Sequence, residues 1–455
     1  LSFQHHPPPI PLDSTSGLPN RQQFTADYPR LRGPGATLIM VTLADARHFN
    51  EILRALGHEW SEEFICEGAS RIRRLLPSGT TLYHVSVLSF TFVLTGALAP
   101  MIDRLITSFK TPIFCQDVPV VSRAGIGVIA CADFSAADAL RAGLVAAQDS
   151  RGTTQGWAGY DPLRDTAHRR AFIILTQFTA ACAAADQLAL HFQPKLDCAT
   201  GRPVGAEALL RWRHPSLGAI SPAEFIPLAE ATDHVHQLTE WVLEHALAQS
   251  AAWARNGLDL TMAVNVSPHN LAQAGFAEAL LHKLDRHCVL PANIELEFTE
   301  GALASNNETV IAELARLRRE GVNIALDDFG TGFSNLSYLS RLPANIIKID
   351  RSLITPIAAE PRAATVVQSL IALAHHLDYR VVAEGIETAD VYALLKSWQC
   401  NEAQGFYLSR PLTPDAFATF LATNGSIAPA PARASHVKVH DRRKTYLPLD
   451  VSERT

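Results

Sequence analysis

Acidic side chains followed at once by glycines are concentrated in one short stretch, N-I-A-L-D-D-F-G-T-G-F-S-N, from Asn323 to Asn335. Asn323 to Leu326 is an apolar-rich run of strand length, Asp327 and Asp328 follow, and the two glycines after them force a tight turn. This pattern sets two carboxylates at the carboxyl end of a buried strand. In a parallel barrel that end is where active-site loops gather, and an Asp pair there reads as chemistry. Taken alone, the stretch reads equally well as an Asp-Gly surface turn.

Its company decides between them. Glu207 follows Gly205-Ala206, Asn265 ends a third strand-like run, and Glu297 and Glu300 close a fourth. Later runs add Lys348 in K-I-D, Glu384 and Glu387 in A-E-G-I-E, and Gln404. A lone Glu would read as a salt-bridged surface residue. Neighbouring strands lie about 4.8 Å apart, so donors at matching heights on successive strands can converge on one cation. Oxygen donors without Cys or His select a hard ion, Mg2+ or Mn2+, over zinc.

The elements that must position these residues alternate regularly in the second half of the chain. Strand patterns fall at Leu190–Leu196, Gly205–Trp212, Thr261–Ser267, Asn293–Glu300, Asn323–Phe329, Ile346–Arg351, Arg380–Glu387 and Ala403–Ser409. Helical patterns lie between most of them, at Leu238–Arg255, Val310–Glu320 and Ala363–Leu377. Eight strands over about 240 residues match a β/α barrel in size. Periodicity alone leaves an open doubly wound sheet as a rival. The first half reads as an α+β domain: a strand at Ala36–Leu43, a helix from Ala46 to Leu76, a hairpin at Tyr83–Leu94, a strand at Ala124–Ala130 and a helix at Ala136–Gln148.

At 455 residues, with 47% hydrophobic and 18% charged residues, the chain has the composition of a soluble protein of two or three domains. No apolar run reaches the roughly 18 residues of a membrane span. Its net charge of −6 argues against broad nucleic-acid binding, which needs surplus Lys and Arg, so no DNA partner is expected. Seven scattered cysteines without C-x-x-C spacing fit a reduced, cytoplasmic chain. The sequence begins at Leu1 rather than Met, which leaves room for an upstream sensor or membrane segment. Residues 1–12, with four prolines, read as a linker, 13–165 as the first domain, 166–186 as a helical connector, 187–424 as the second domain, and 425–455 as a disordered tail.

The first domain resembles the GGDEF family, the diguanylate cyclase fold. D-S-T-S-G-L-P-N-R from Asp13, the Leu56-Gly57-His58 tripeptide and Gly159-Tyr160-Asp161-Pro162 carry the likeness. The signature loop is degenerate. Ser86-Val87-Leu88-Ser89-Phe90 stands where the family has two glycines and two acids, so close approach to a triphosphate and hard metal ligation are both lost. Asp45 matches a metal-binding position, but Arg47 and Leu53-Arg54 depart from the family, and the R-x-x-D motif is replaced by Pro77 and Thr80. The resemblance implies a domain without cyclase activity that binds GTP as an effector or serves dimerisation.

The second domain resembles the EAL family, cyclic di-GMP phosphodiesterases built on a TIM-like (β/α)8 barrel. Q-P-K, G-A-E-A-L-L-R-W, N-V-S, E-x-T-E, D-D-F-G-T-G, K-I-D, A-E-G-I-E and A-Q-G occur in order between Gln187 and Ala422. The resemblance implies that Glu207, Asn265, Glu297 and Asp327 hold a first metal, with Asp327 shared and Asp328 reaching a second. It makes Glu384 the general base or a holder of the attacking water and a further metal ligand, with Lys348 positioning that water and Gln404 completing the polar wall on the substrate side. Gln193 and Arg211 would contact the ligand, while Glu300 and Glu387 would brace the loop after Asp328 and support a homodimer. Gly301, Phe333 and Asn335 depart mildly from the family pattern. The expectation is hydrolysis of cyclic di-GMP to linear pGpG. The alternative is a receptor that binds cyclic di-GMP without cleaving it.

Overall fold

The structure, a computed structural model, describes residues 10–132, 134–299, 308–330, 339 and 342–424. They form two compact units divided between Phe172 and Ile173.

In the first unit Ala36–Thr42 (β1) is buried along nearly its whole length, because both its faces are covered. Ile39 and Val41 enter one core with Phe64, Phe90, Phe92 and Leu105. Leu38 and Met40 enter another with Phe24, Tyr28, Ala139 and Ala146. Successive side chains point to opposite faces, so a strand covered on both sides needs an unbroken apolar run. The remaining strands are β2 (Tyr83–Ser86), β3 (Ser89–Thr95), β4 (Ile113–Cys115), β5 (Val118–Val120), β6 (Gly125–Ala130) and β7 (Ala158–Gly159). The main sheet has the order β2-β3-β1-β6-β7, and β4-β5 is a separate hairpin. The single helix expected over 46–76 is two, Ala46–Leu56 and His58–Leu75, because Gly57 has φ 86° and no helix passes through that backbone. The helix Arg21–Leu31, which the turn residues before it concealed, starts at Asn20, whose side chain accepts from the backbone N–H groups of Gln22 and Gln23.

The helix Pro162–Ala183 leads into the second unit, where a ring of strands closes. These are β8 (Leu188–Asp197), β9 (Pro203–His214), β11 (Thr261–Asn265), β12 (Ile294–Thr299), β13 (Asn323–Phe329), β14 (Ile346–Ile349), β15 (Arg380–Ala383) and β16 (Glu402–Ala403), with β10 (Gly218–Ile220) a short hairpin partner of β9. From β9 to β16 the pairings around the ring are parallel. β8 pairs antiparallel with both β9 and β16 and closes the barrel, which removes the open-sheet rival. The reversal follows from chain length: only a short turn separates β8 from β9, and a parallel pair needs a crossover of a dozen residues or more. β16 is far shorter than the pattern Ala403–Ser409 suggested.

Alternation divides the barrel strands between two environments. Leu296, Phe298, Leu326, Ile347, Val381 and Ala383 point outward into the core shared with the surrounding helices. Their neighbours Glu295, Glu297, Asp327, Lys348 and Gln404 are buried but polar, and belong to the inward face. Beside them a small cluster of Ala325, Ile346 and Val382 is separate from the outer core. Among the described residues no helix is long and apolar enough to cross a membrane.

Candidate active site

The inward polar residues converge at the carboxyl ends of the parallel strands. Lys348, on β14 and 1% exposed, stands at the centre. Its Nζ lies 2.7 Å from Glu297 Oε2, 2.7 Å from Glu384 Oε1 and 3.2 Å from Asp327 Oδ1. Burial works against its charge, yet the Glu207, Glu297, Glu384 and Asp327 carboxylates raise its pKa well above the ordinary lysine value. This lysine is a fixed cation.

Around it the acids divide into two kinds. Glu207 on β9 accepts from Asn265 Nδ2 at 2.7 Å through one oxygen and from Gln404 Nε2 at 2.6 Å through the other. Burial pushes its carboxyl up, but the Lys348 charge and these two hydrogen bonds outweigh it and hold the pKa below the usual value. Glu297 is fully buried, and its Oε1 has no hydrogen-bond partner among the described residues. Burial holds its carboxyl well above the ordinary range, with the Glu207 and Asp327 charges adding to it against the pull of Lys348. Glu384, whose backbone N–H donates to the Ile349 carbonyl at 3.1 Å, is pushed up to about 7 by burial, with Asp327 and Glu207 opposing Lys348. A carboxyl near 7 is poised to exchange a proton at neutral pH.

Asp327 and Asp328 are adjacent, and simple alternation would send them to opposite faces. A register irregularity between Leu326 and Phe329 and a left-handed backbone at Asp328 (φ 56°) break the alternation. Non-glycine residues held in that conformation cost roughly 1–3 kcal/mol and cluster at functional sites. Burial and the Asp327 charge raise the Asp328 carboxyl.

The wall beside Glu207 is an amide chain. Gln404 Nε2 also donates to Gln193 Oε1 at 3.1 Å, and Gln193 Nε2 donates to the Ser409 carbonyl at 3.0 Å. Arg211 lies four residues beyond Glu207 on the same face of β9 and donates to the Leu210 carbonyl at 2.8 Å. Burial lowers its pKa, opposed by the Glu207 charge. Glu387 pairs with Arg351 at 2.8 Å. The loop it was expected to brace lies largely outside the described residues beyond Gly330, as do Glu300, Gly301, Phe333 and Asn335.

A hard divalent cation fits this donor set. Glu207, Asn265, Glu297 and Asp327 sit on the consecutive strands β9, β11, β12 and β13, all offering oxygen, and the orphaned Oε1 of Glu297 lacks a partner that a cation would supply. Among the described residues no three His, Cys, Asp or Glu side chains already stand together as a metal site, and the Lys348 ammonium lies within 3.2 Å of Glu297, Asp327 and Glu384.

Sequence reasoning missed Lys195 and Glu295, both fully buried and 2.7 Å apart. The signal was present in the E-x-E spacing of Glu295 and Glu297, which puts both on one strand face.

The family model described as "EAL domain" matches residues 176–411, more than half of the chain. The chain belongs to the EAL family. Residues 11–143 match the model described as "Diguanylate cyclase, GGDEF domain". Two Pseudomonas aeruginosa proteins are similar over nearly all of this EAL protein. One, named cyclic di-GMP phosphodiesterase PA2567, is 40% identical over 419 residues, covering 90% of this chain and 71% of its own. The other, named cyclic di-GMP phosphodiesterase NbdA, is 35% identical over 439 residues, covering 93% of this chain and 55% of its own, so little more than half of its length is spanned. Among solved structures, the PaMucR phosphodiesterase in complex with cyclic di-GMP is 39% identical with a TM-score of 0.51, over 55% of this chain and 99% of its own.

Proposed function

We propose that the EAL barrel hydrolyses cyclic di-GMP to linear pGpG with the help of divalent cations, Mg2+ or Mn2+, and that the GGDEF-like unit is regulatory rather than catalytic. The supporting observation is the array of oxygen donors around one buried lysine at the barrel mouth. Relatives named as cyclic di-GMP phosphodiesterases add the substrate class.

In this reading Glu207, Asn265, Glu297 and Asp327 hold one cation and Asp327 with Asp328 a second. When bound, such ions supply hydroxide near neutral pH and offset charge on the attacking and leaving oxygens. Glu384 accepts the proton of the attacking water at a carboxylate oxygen, the task its pKa of about 7 suits. Lys348 faces the gathering negative charge of the phosphate with an ammonium that its acidic surroundings keep protonated. Gln193, Gln404 and Arg211 orient the dinucleotide from the β8, β16 and β9 side. Water oxygen bonds to phosphorus, the 3′-oxygen leaves with a proton, and the product keeps a 5′-phosphate.

The substitutions Ser86-Val87-Leu88-Ser89 at the β2–β3 hairpin support a GGDEF-like unit without cyclase chemistry, with GTP as an effector or homodimerisation as its remaining roles. A reduced, cytoplasmic location belongs to the same reading. The variant Glu207→Ala is expected to lose metal-dependent turnover by a thousandfold or more, roughly the several kcal/mol that metal stabilisation supplies. Turnover at the wild-type rate would remove Glu207 from the site.

A further inference from the structure

Lys195 and Glu295 form an ion pair that stability does not explain. Both are fully buried, and their nitrogen and oxygen approach to 2.7 Å. They stand on β8 and β12, three strands apart around the ring, so the pair spans the barrel interior. Neither Lys195 Nζ nor either Glu295 oxygen makes an aligned hydrogen bond to another described group. A buried pair repays its desolvation only with good geometry and further hydrogen bonds, and apolar replacements of similar volume are often neutral or stabilising. Elsewhere on the inward face Ala325, Ile346 and Val382 form an apolar cluster, so apolar side chains fit the barrel interior.

The surrounding sequence accommodates the lysine. Gly205 is its register partner on β9, and a Cβ there would stand 2.5 Å from the Thr261 carbonyl oxygen and 3.4 Å from Lys195 Cε. The absent side chain leaves the path along which the lysine stem runs.

The position of the pair relates it to the acids above. Gln193 pairs with Glu207 and Lys195 with Gly205, which places Lys195 one inward position beneath Glu207, while Glu295, which its Nζ meets, lies one inward position beneath Glu297 on β12. The Lys195 charge acts on both the Glu207 and the Glu297 carboxylates.

Resting on the metal-dependent reading above, we propose that Lys195, anchored by Glu295, is a positioning residue: its ammonium is a charged floor that holds the mutually repelling Glu207 and Glu297 carboxylates together beneath one divalent cation. It touches neither substrate nor reacting atoms. Lys348 counters the same acids from the β14 side.

The test is calorimetric titration of the full chain with Mn2+ alone, without nucleotide, alongside thermal melting and steady-state turnover. The double variant Lys195→Met/Glu295→Gln removes the charges together and is expected to melt near the wild type, yet to bind Mn2+ about tenfold more weakly, as loss of an outer-shell partner does. Saturating Mn2+ should then recover kcat with KM for cyclic di-GMP unchanged. Glu295→Gln alone keeps the ammonium and should retain more Mn2+ affinity than Lys195→Met alone. Wild-type Mn2+ affinity in the double variant, or equal losses in the two single variants, would overturn the proposal and leave the pair a packing element. A wild-type chain that binds no Mn2+ would instead overturn the metal-dependent reading itself.

Discussion

Inside the barrel, the inward positions of β12 and β13 include Glu295, Glu297 and Asp327, all buried. In the first unit the buried positions of β1 are Leu38, Ile39, Met40 and Val41, apolar on both faces. The hairpin tip that the GGDEF family uses for acids is here Val87-Leu88 between two serines, with Val87 62% exposed. Charge in an interior costs several kcal/mol per ion unless it is paired. The barrel carries more acids than Lys348 and Lys195 can balance, whereas the first unit carries apolar cores and no acid at that tip. The contrast gathers buried acids in the barrel and places apolar and hydroxyl side chains at the matching hairpin tip of the first unit.

The strongest way to break that contrast is Lys348→Met. Removing the central ammonium leaves Glu297, Asp327 and Glu384 facing one another, and kcat/KM is expected to fall on the order of a hundred- to a thousandfold, the size of losing one preorganised electrostatic group. Stopped assays with cyclic di-GMP and Mn2+ read it, and a loss under tenfold would show that the lysine is structural.

Phe64→Ala addresses the other unit. Phe64 is fully buried in the first unit's core, and truncation should cost that unit about 3–5 kcal/mol. The expected outcome is a lower first melting transition with metal-dependent turnover still present. Loss of turnover while the barrel remains folded would tie the chemistry to the first unit.

A smaller effect comes from Glu384. Burial raises its carboxyl from the ordinary value to about 7, so the folded chain binds a proton that the unfolded chain has released between the ordinary carboxyl pKa and about 7. Without metal, this group's contribution to stability is complete below the unfolded pKa and is lost as pH rises through about 7. Glu384→Gln does not titrate. Denaturation midpoints of metal-free wild type and variant should therefore diverge in the variant's favour from pH 5 to 7.5, and a constant gap would contradict the shift.

Much of the barrel was legible because its strands carry two signals at once, outward apolar residues for the helices and inward donors for the mouth. Asn323–Phe329 matches its expected limits, and Glu207, Glu297, Asp327, Lys348 and Gln404 are brought together as their strand-end positions implied. What escaped depends on contacts between distant segments. The reversal of β8 is set by the length of its turn, and the ion pair of Lys195 joins residues a hundred positions apart, which no local spacing reveals. The two inward-facing acids of β12 share one spacing but only Glu297 reaches the mouth, a distinction that depth in the barrel makes and spacing does not. The break at Gly57 was hidden by apolar periodicity that continues on both sides of it.

The most direct measurement is incubation of the chain with cyclic di-GMP and Mn2+ or Mg2+, followed by chromatographic separation of the nucleotides, with a chelator control. The account predicts pGpG that accumulates only with the metal present. Tight binding of cyclic di-GMP with no product under any metal would contradict it and make the barrel a receptor.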